Sequence, residues 1–164
     1  MKTLKITFVM LMTALFLVLS SCSKNDVNVT LTPSEEVVNA FQQKYPDVKN
    51  FKWEILVGAY EAEFIYSGTY SENGQHIIFD KVEAQAYITQ GGKWVRSEFD
   101  VTKDYQDSSS SLVVPRAVRE TIAAKGKKVD DVKLFDWSDR NDYFYVEFDE
   151  PDSELLINFD GTLY

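Results

Sequence analysis

The sequence predicts an α+β fold made of two tandem units, each a helix followed by antiparallel strands. Residues 47–64 align with residues 131–148 without a gap, and seven of the eighteen positions are identical. Unrelated stretches would share about one, so the match indicates an internal repeat. A helical pattern precedes each copy, and alternating apolar residues follow it. We therefore expect one continuous sheet with both helices on one face.

The first unit, residues 32–104, is predicted to open with a helix. Thr32 is suited to cap it, Pro33 to be its first residue, and Glu35 to complete a capping box. Pro46 is expected to end the helix. The apolar stripe of this helix consists of Val37, Val38, Phe41 and Tyr45.

Alternation of apolar and polar residues predicts the strands of the first unit. They are expected at 51–57, 60–66, 76–79, 82–88 and 93–101, with turns at Gly58 and at Gln90-Gly91-Gly92. Residues 67–74 have the composition of a loop. The second unit lacks about fifteen residues that the first carries around 67–81, which marks this segment as an insertion and an extended hairpin.

The second unit is predicted to span residues 113–164, after a linker at 105–112 that contains the serine run. A helix is expected to start at Pro115, to bury Val118 and Ile122, and to stop at Gly126. Strands are expected at 132–137, 143–148 and 155–159, followed by a turn at Asp160-Gly161. Trp53 and Trp137 are expected to occupy equivalent, largely buried positions, since aligned strands of a repeat share their inward face.

Residues 1–21 are predicted to be an export signal, because Lys2 and Lys5 precede an uncharged apolar run of fourteen residues, which is too short to span a bilayer. The sequence Leu19-Ser20-Ser21-Cys22 resembles a bacterial lipobox. Cys22 is the only cysteine, so it has no disulfide partner within the chain. We expect a lipid on Cys22, a tether over residues 22–31, and an address on the outer membrane of a Gram-negative envelope, facing either the periplasm or the cell surface.

The charge of the chain restricts its partners. The net charge is −9, and it becomes −11 without residues 1–21, which carry two lysines and no acid. Nucleic acid is excluded as a partner, because phosphate binding needs a basic surface. The membrane is expected to be contacted through the lipid on Cys22.

The chain as a whole resembles the PepSY-like family. The resemblance rests on the lipobox, the two units with helix starts at Pro33 and Pro115, Trp53 and Trp137 in their strands, and the acidic turn before Gly161. This family is also called β-lactamase-inhibitor-like. The resemblance covers about residues 32–164. It implies a small exported or lipid-anchored binding domain without catalytic residues, and for PepSY domains proper a link to peptidase inhibition or regulation.

The residues predict no cofactor, no metal site and no enzyme. His76, the only histidine, falls in the expected hairpin, where a solvent-facing role is favoured over a catalytic one. The alternative of a calcium site in the acidic run is disfavoured, because its spacing matches no calcium loop and a solvated face explains it. The run consists of Asp136, Asp139, Asp142, Glu147, Asp149, Glu150, Asp152, Glu154 and Asp160.

A contrast between the two units supplies the candidate binding residues. Ala59, Glu61 and Glu63 in the first unit align with Tyr143, Tyr145 and Glu147 in the second. If Phe144, Val146 and Phe148 face the helix, the two tyrosines face away from it, where they either form an interface or cover a neighbouring strand. The predicted binding face consists of Glu61, Glu63, Tyr143, Tyr145 and Glu147, and its charge favours a protein or a cationic ligand.

Three functions follow as hypotheses. The first is a non-enzymatic envelope lipoprotein that binds a protein or ligand, in an inhibitor-like manner, through an exposed sheet face. The second is a structural envelope component with no dedicated partner. The third is a metal-dependent hydrolase, which the scarcity of histidine and cysteine disfavours.

Overall fold

Seven antiparallel strands, paired in their order along the chain, form one continuous sheet in the computed structural model of this protein. The structure describes residues 32–72, 74–107, 112–149 and 153–164. The predictions of an export signal, a lipid on Cys22 and a tether lie outside these residues. The α+β class is confirmed. The strands are β1 (Phe51–Leu56), β2 (Ala59–Glu72), β3 (Gln75–Thr89), β4 (Trp94–Asp100), β5 (Val129–Trp137), β6 (Tyr143–Phe148) and β7 (Ser153–Ile157), and the helices are α1 (Glu35–Lys44), α2 (Thr102–Gln106) and α3 (Arg116–Ala123).

One face of the sheet, which we call the inner face, carries the core. A single row of paired residues crosses all seven strands on this face, and every member except the half-buried Phe51 is buried. Side chains paired directly across antiparallel strands point to the same side, so the whole row packs together. The row is Phe51, Phe64, Ala84, Phe99, Leu134, Phe144 and Ile157.

Helix α1 packs through aromatic rings. The fully buried Phe41 lies 4.7 Å from the ring of Phe51 and 5.1 Å from that of Phe64, and Val37 is also fully buried. The helix begins two residues later than predicted, because its N-cap residue is Ser34 and not Thr32. The Ser34 side chain makes no capping hydrogen bond. Pro33 is buried before the helix instead of forming its first turn.

The hairpin of β2 and β3 corrects the prediction of a loop at residues 67–74. The two strands pair from Ala59↔Thr89 to Glu72↔Gln75, so the extended hairpin is confirmed. A register shift between Tyr66 and Gly68, opposite Lys81 with its positive φ of 58°, bends it. The composition suggested a loop because a bulge uses the same small and polar residues as a turn.

The distal part of this hairpin is tied to the second half of the chain. The Tyr70 hydroxyl donates to Asp142 Oδ2 (2.5 Å), and its ring stacks on Phe159 at 5.9 Å. Asp142 Oδ1 accepts a bond from the Trp137 backbone N–H at 2.7 Å. The insertion is therefore part of the core and joins the two halves.

Helix α2 was not predicted, because it precedes and overlaps the low-complexity segment. Asp100 Oδ1 accepts a bond from the Thr102 N–H (2.9 Å) at its start. At its end, the Arg119 guanidinium donates to the carbonyls of Asp104 and Tyr105, both at 2.6 Å. This helix is stabilised by a residue of α3, which no local pattern reveals.

Helix α3 begins after Pro115 and buries Val118 and Ile122, as the sequence predicted. Strand β6 has its predicted bounds, whereas β5 begins three residues earlier than predicted and β7 lies two residues earlier. After Ile157 the chain turns, and Leu163 bridges back to Ile157.

The prediction that Trp53 and Trp137 occupy equivalent, largely buried positions is wrong. Phe51 pairs with Phe64 across a two-residue turn, but its aligned counterpart Phe135 pairs with Tyr143 across a five-residue loop. The register of the second hairpin is thus shifted by five residues, and an odd shift turns a side chain to the other side of the sheet. Trp53 contacts Phe41 of α1 (5.6 Å), while Trp137 lies on the opposite face; both rings are half-buried.

Candidate functional site

The five residues predicted as a binding face lie on one side of the sheet, which we call the outer face. Tyr143 and Glu63 are joined by a row of paired residues through Phe135, Glu98 and Gln85. A second row joins Glu61 to Tyr87, Arg96 and Trp137. Tyr145 and Glu147 alternate with the buried Val146 and so share the side of Tyr143.

The structure does not bring these five residues into one small pocket. Strands β3, β4 and β5 lie between Glu63 on β2 and Tyr143 on β6, so the two residues are about 19 Å apart at about 4.8 Å per strand. A single small ligand does not span such a distance. A partner that contacts all five residues would have to be of protein size.

The centre of the outer face is an aromatic cluster built around Arg96. The Arg96 guanidinium lies 4.1 Å from the ring centre of Tyr87 and 5.1 Å from that of Trp137. It also forms an ion pair with Glu98 at 2.7 Å. A guanidinium held over ring faces is favoured by cation–π attraction and is fixed in orientation.

Phe135 extends this cluster to β6. Its ring stacks on Tyr143 at 5.2 Å and contacts Tyr145 at 5.8 Å. Tyr143 is 9% exposed, because Tyr164 near the chain end also covers it at 4.8 Å. Tyr145 stays half-buried. We define the aromatic cluster as Tyr87, Arg96, Phe135, Trp137, Tyr143 and Tyr145.

The two roles predicted as alternatives for the tyrosines, covering a neighbouring strand and forming an interface, therefore fit different residues. Tyr143 mainly covers its neighbours, as a cross-strand stabiliser does. Tyr145 has the exposure that an interface residue needs. Burial raises the pKa of Tyr145 to about 12, and a hydrogen bond to Glu154 and the charge of Glu147 add to this rise.

An acidic cavity of about 920 Å³ lies beside the aromatic cluster, at the end of the sheet where β1 starts. Glu63, Glu98 and Glu147 line it, and Lys133 forms an ion pair with Asp131 (2.9 Å) within it. In total seven carboxylates and three lysines line the cavity. They are Glu63, Glu83, Glu98, Asp100, Asp130, Asp131 and Glu147, with Lys49, Lys52 and Lys133.

Glu61 is a buried carboxyl on the outer face, with 8% of its surface exposed. Desolvation raises its pKa, the hydrogen bond from Tyr87 opposes that rise, and the charges of Glu54, Glu63 and Glu98 add to it. Glu54, Glu61 and Glu63 place carboxylate oxygens within 4.8 Å of one another. Such a group has oxygen donors of the type that calcium prefers, but exposed acidic groups are common without an ion.

The acidic run is dispersed by the fold, and its interpretation as a solvated face is wrong for two members. Asp136 and Asp142 are each 3% exposed. Asp136 pairs with Lys44 of α1 at 2.9 Å, and Asp142 binds Tyr70. Elsewhere Asp139 pairs with Arg140, and Asp149 with Lys128. The described members of the run thus serve different local roles.

His76 is exposed in the long hairpin and shares a hydrogen bond with Ser71 Oγ at 3.0 Å. An exposed pair of this kind has no surrounding cavity to exclude water from a reaction.

Sequence reasoning missed the middle of the outer face. The ungapped repeat predicts the inward face for Trp137, which lies on the outer face, and Phe135, two residues before it in the strand, lies on the same outer side. Arg96 and Glu98 had a weak signal, since opposite charges two residues apart in a strand share a face. The length of the loop between Trp137 and Tyr143 was the observation that could have revealed the shifted register.

No family model matches the sequence, and no curated protein matches it. Among solved structures, a BLIP-like protein from Bacteroides fragilis has a TM-score of 0.64 and 19% identity, over 85% of this chain and 89% of the other. A DUF2874 family protein from Bacteroides ovatus has a TM-score of 0.62 and 16% identity, over 80% and 84%. A candidate periplasmic protein from Bacteroides eggerthii has a TM-score of 0.59 and 18% identity, over 80% and 86%.

These neighbours show the fold of the chain. It is a BLIP-like fold. The PepSY-like name stays a prediction, as does the lipid anchor. Within the described residues, no helix has both the length and the apolar character needed to cross a membrane.

Proposed function

We propose that this chain is a non-enzymatic binding protein of the Gram-negative cell envelope. In this proposal a lipid on Cys22 anchors it to the outer membrane, and its fold consists of two tandem helix-and-strand units with the helices on the inner face. The single observation that supports binding is the aromatic cluster on the outer face. Tyrosine, tryptophan and arginine are the residues that contribute most to protein interfaces. The BLIP-like and periplasmic descriptions of the neighbours agree with a binding module in the envelope.

The charge of the outer face selects the partner. Seven carboxylates against three lysines in the cavity favour a protein segment or ligand that carries positive charge. Glu147 is exposed and borders both the cavity and Tyr145, so it is placed to meet such a charge. Binding of this kind is expected to weaken as salt is added, because exposed charges are screened.

The test is recovery of a partner from solubilised membranes with wild type and with Glu147→Lys. Glu120→Lys on α3 is the matched control, since it makes the same charge change at an exposed position of a helix. The proposal expects Glu147→Lys to lose the partner and Glu120→Lys to retain it. Equal recovery by all three proteins would place the binding site elsewhere, and recovery of no specific protein by wild type would favour a structural component.

Inhibitor-like binding is the narrower form of this proposal, and it rests on the resemblance and the fold. Its test is titration of purified protein against β-lactamases and peptidases of the same envelope. The hydrolase alternative is tested by metal analysis of the purified protein, where a stoichiometric ion bound by Glu54, Glu61 and Glu63 would support it.

A further inference from the structure

The end of the sheet at which α1 begins carries most of the exposed large apolar side chains of the described residues. Consecutive antiparallel strands place the turns at Val57-Gly58, at Gln90-Gly92 and at residues 138–142 on this same end. We call it the α1 end. Gly92 lies against the first turn of α1, so closely that a Cβ on it would stand 2.9 Å from the Glu36 carbonyl oxygen.

The tip of the β1–β2 hairpin is the most exposed apolar point of the α1 end. Ile55 is 45% exposed, Leu56 36% and Val57 fully exposed, in three consecutive positions. β1 is an edge strand, so no further strand of the sheet shields this tip.

Exposed apolar side chains also lie at the α1 end on the opposite edge of the sheet. Leu163 and Tyr164 are each more than half exposed, and Leu112 is exposed a few residues before α3. The start of α3 also lies at this end, because a Cβ on Gly161 would stand 2.7 Å from the Ala117 carbonyl oxygen. Six of the exposed large hydrophobic side chains among the described residues thus belong to this end, namely Ile55, Leu56, Val57, Leu112, Leu163 and Tyr164.

The short length of chain between Cys22 and α1 indicates which surface the α1 end faces. The described residues begin at Thr32, and nine residues, 23–31, separate it from Cys22. The distance from Cys22 to Thr32 is therefore at most about 35 Å in a fully extended chain. A lipid on Cys22 would hold the α1 end closer to the bilayer than the opposite end of the sheet, where β1 and β5 start.

We propose that the α1 end rests on the membrane surface, with the tip residues Ile55, Leu56 and Val57 inserted among the lipid headgroups. This inference rests on the proposed lipid anchor. Three aliphatic side chains bind a bilayer weakly alone, so they orient the domain while the acyl chains retain it. The acidic cavity, which lies where β1 starts, then points away from the bilayer.

The experiment uses the full lipidated protein in phosphatidylcholine vesicles with a spin label on Val57→Cys. Cys22 is blocked by its lipid, so the label attaches only at residue 57. The matched control is Lys127→Cys, an exposed position beside the start of β5 at the opposite end of the sheet. The readout is the accessibility of each label to oxygen, which concentrates in lipid, relative to a water-soluble nickel chelate.

The proposal expects a several-fold higher oxygen-to-nickel ratio at residue 57 than at residue 127, and a return of that ratio towards the control when Leu56→Asp is added. Equal ratios at the two positions on acylated protein would overturn the inference and leave the anchor intact. Shielding of residue 57 in unlipidated protein without vesicles would overturn it in favour of a second copy. Absence of an acyl chain on Cys22 by mass spectrometry would overturn both the anchor and this inference.

Discussion

Lys44 at the end of α1 forms an ion pair with Asp136 of β5, with 2.9 Å between Nζ and Oδ2. The ammonium group also lies 3.7 Å from the ring centre of Trp94. The Asp136 side chain is nearly fully buried, whereas that of Lys44 is about one-third exposed. A helix near the start of the described chain thus neutralises a buried charge on β5.

Lys44→Ala is expected to destabilise the protein at neutral pH by about 3 kcal/mol, because it leaves a buried carboxylate without its partner. Lys44→Ala with Asp136→Asn is expected to recover part of that loss, since the charge is then removed. Urea denaturation of both variants measures the difference. An equal loss in the single and double variants would show that the pair contributes only packing.

The same pair predicts a pH dependence. Desolvation raises the pKa of Asp136 above its usual 3.8, and the charge of Lys44 opposes this rise. Without Lys44 the folded pKa rises further, so folded protein takes up a proton at higher pH than unfolded protein. The deficit of Lys44→Ala is therefore full at neutral pH and shrinks as the pH falls through the folded pKa. A deficit that grows on acidification would contradict this sign.

Gly92 and Gly91 are neighbours with opposite tolerance for a side chain. Gly92 has a φ of +75° and meets the Glu36 backbone, whereas Gly91 has space for a Cβ. Gly92→Ala is expected to cost about 1–3 kcal/mol from the left-handed backbone alone, and Gly91→Ala less than about 0.5 kcal/mol. Thermal denaturation of the two variants checks this, and similar losses would mean that α1 does not pack as described.

Tyr143 and Tyr145 are expected to respond differently to truncation. Tyr143→Ser removes a ring packed against Phe135 and Tyr164, and we expect a loss of about 3 kcal/mol. Tyr145→Ser is expected to cost about 1 kcal/mol or less, because that ring is half-exposed. Chemical denaturation separates them, and a larger loss at Tyr145 would place that ring in the core.

Replacement of Cys22 by Ala is expected to release the protein from membranes without unfolding it. The reason is that the anchor lies outside the described fold. Fractionation and circular dichroism measure the two properties. A Cys22→Ala protein that still sediments with membranes, together with a wild type that carries no acyl chain, would show that the lipobox is not used.

The sequence predicted where the helices and strands lie along the chain better than it predicted which side of the sheet each residue faces. Val118, Ile122 and the strand from Tyr143 to Phe148 follow from local periodicity, which the structure retains. The faces of Phe135 and Trp137 depend on the loop before Tyr143, because a register shift of five residues in a hairpin reverses the side of every residue in one strand. An alignment without a gap cannot show this reversal.

The candidate face was predicted at its edges and missed at its centre for the same reason. Glu61 and Tyr145 alternate with apolar neighbours in their own strands, so the local sequence predicts which side of the sheet they face. Arg96 and Trp137 meet only through the pairing of β4 with β5, which joins residues 41 positions apart. Such a contact is set by tertiary structure.

The most direct test of a binding role for the outer face is photo-crosslinking in intact cells. A photoreactive phenylalanine analogue replaces Tyr145 in one variant and Tyr105 in another, since both rings are half-buried and Tyr105 lies on α2. The outer-face proposal predicts a discrete adduct with another protein from residue 145 and none from residue 105. An adduct from residue 105 alone, or from neither position, would contradict it.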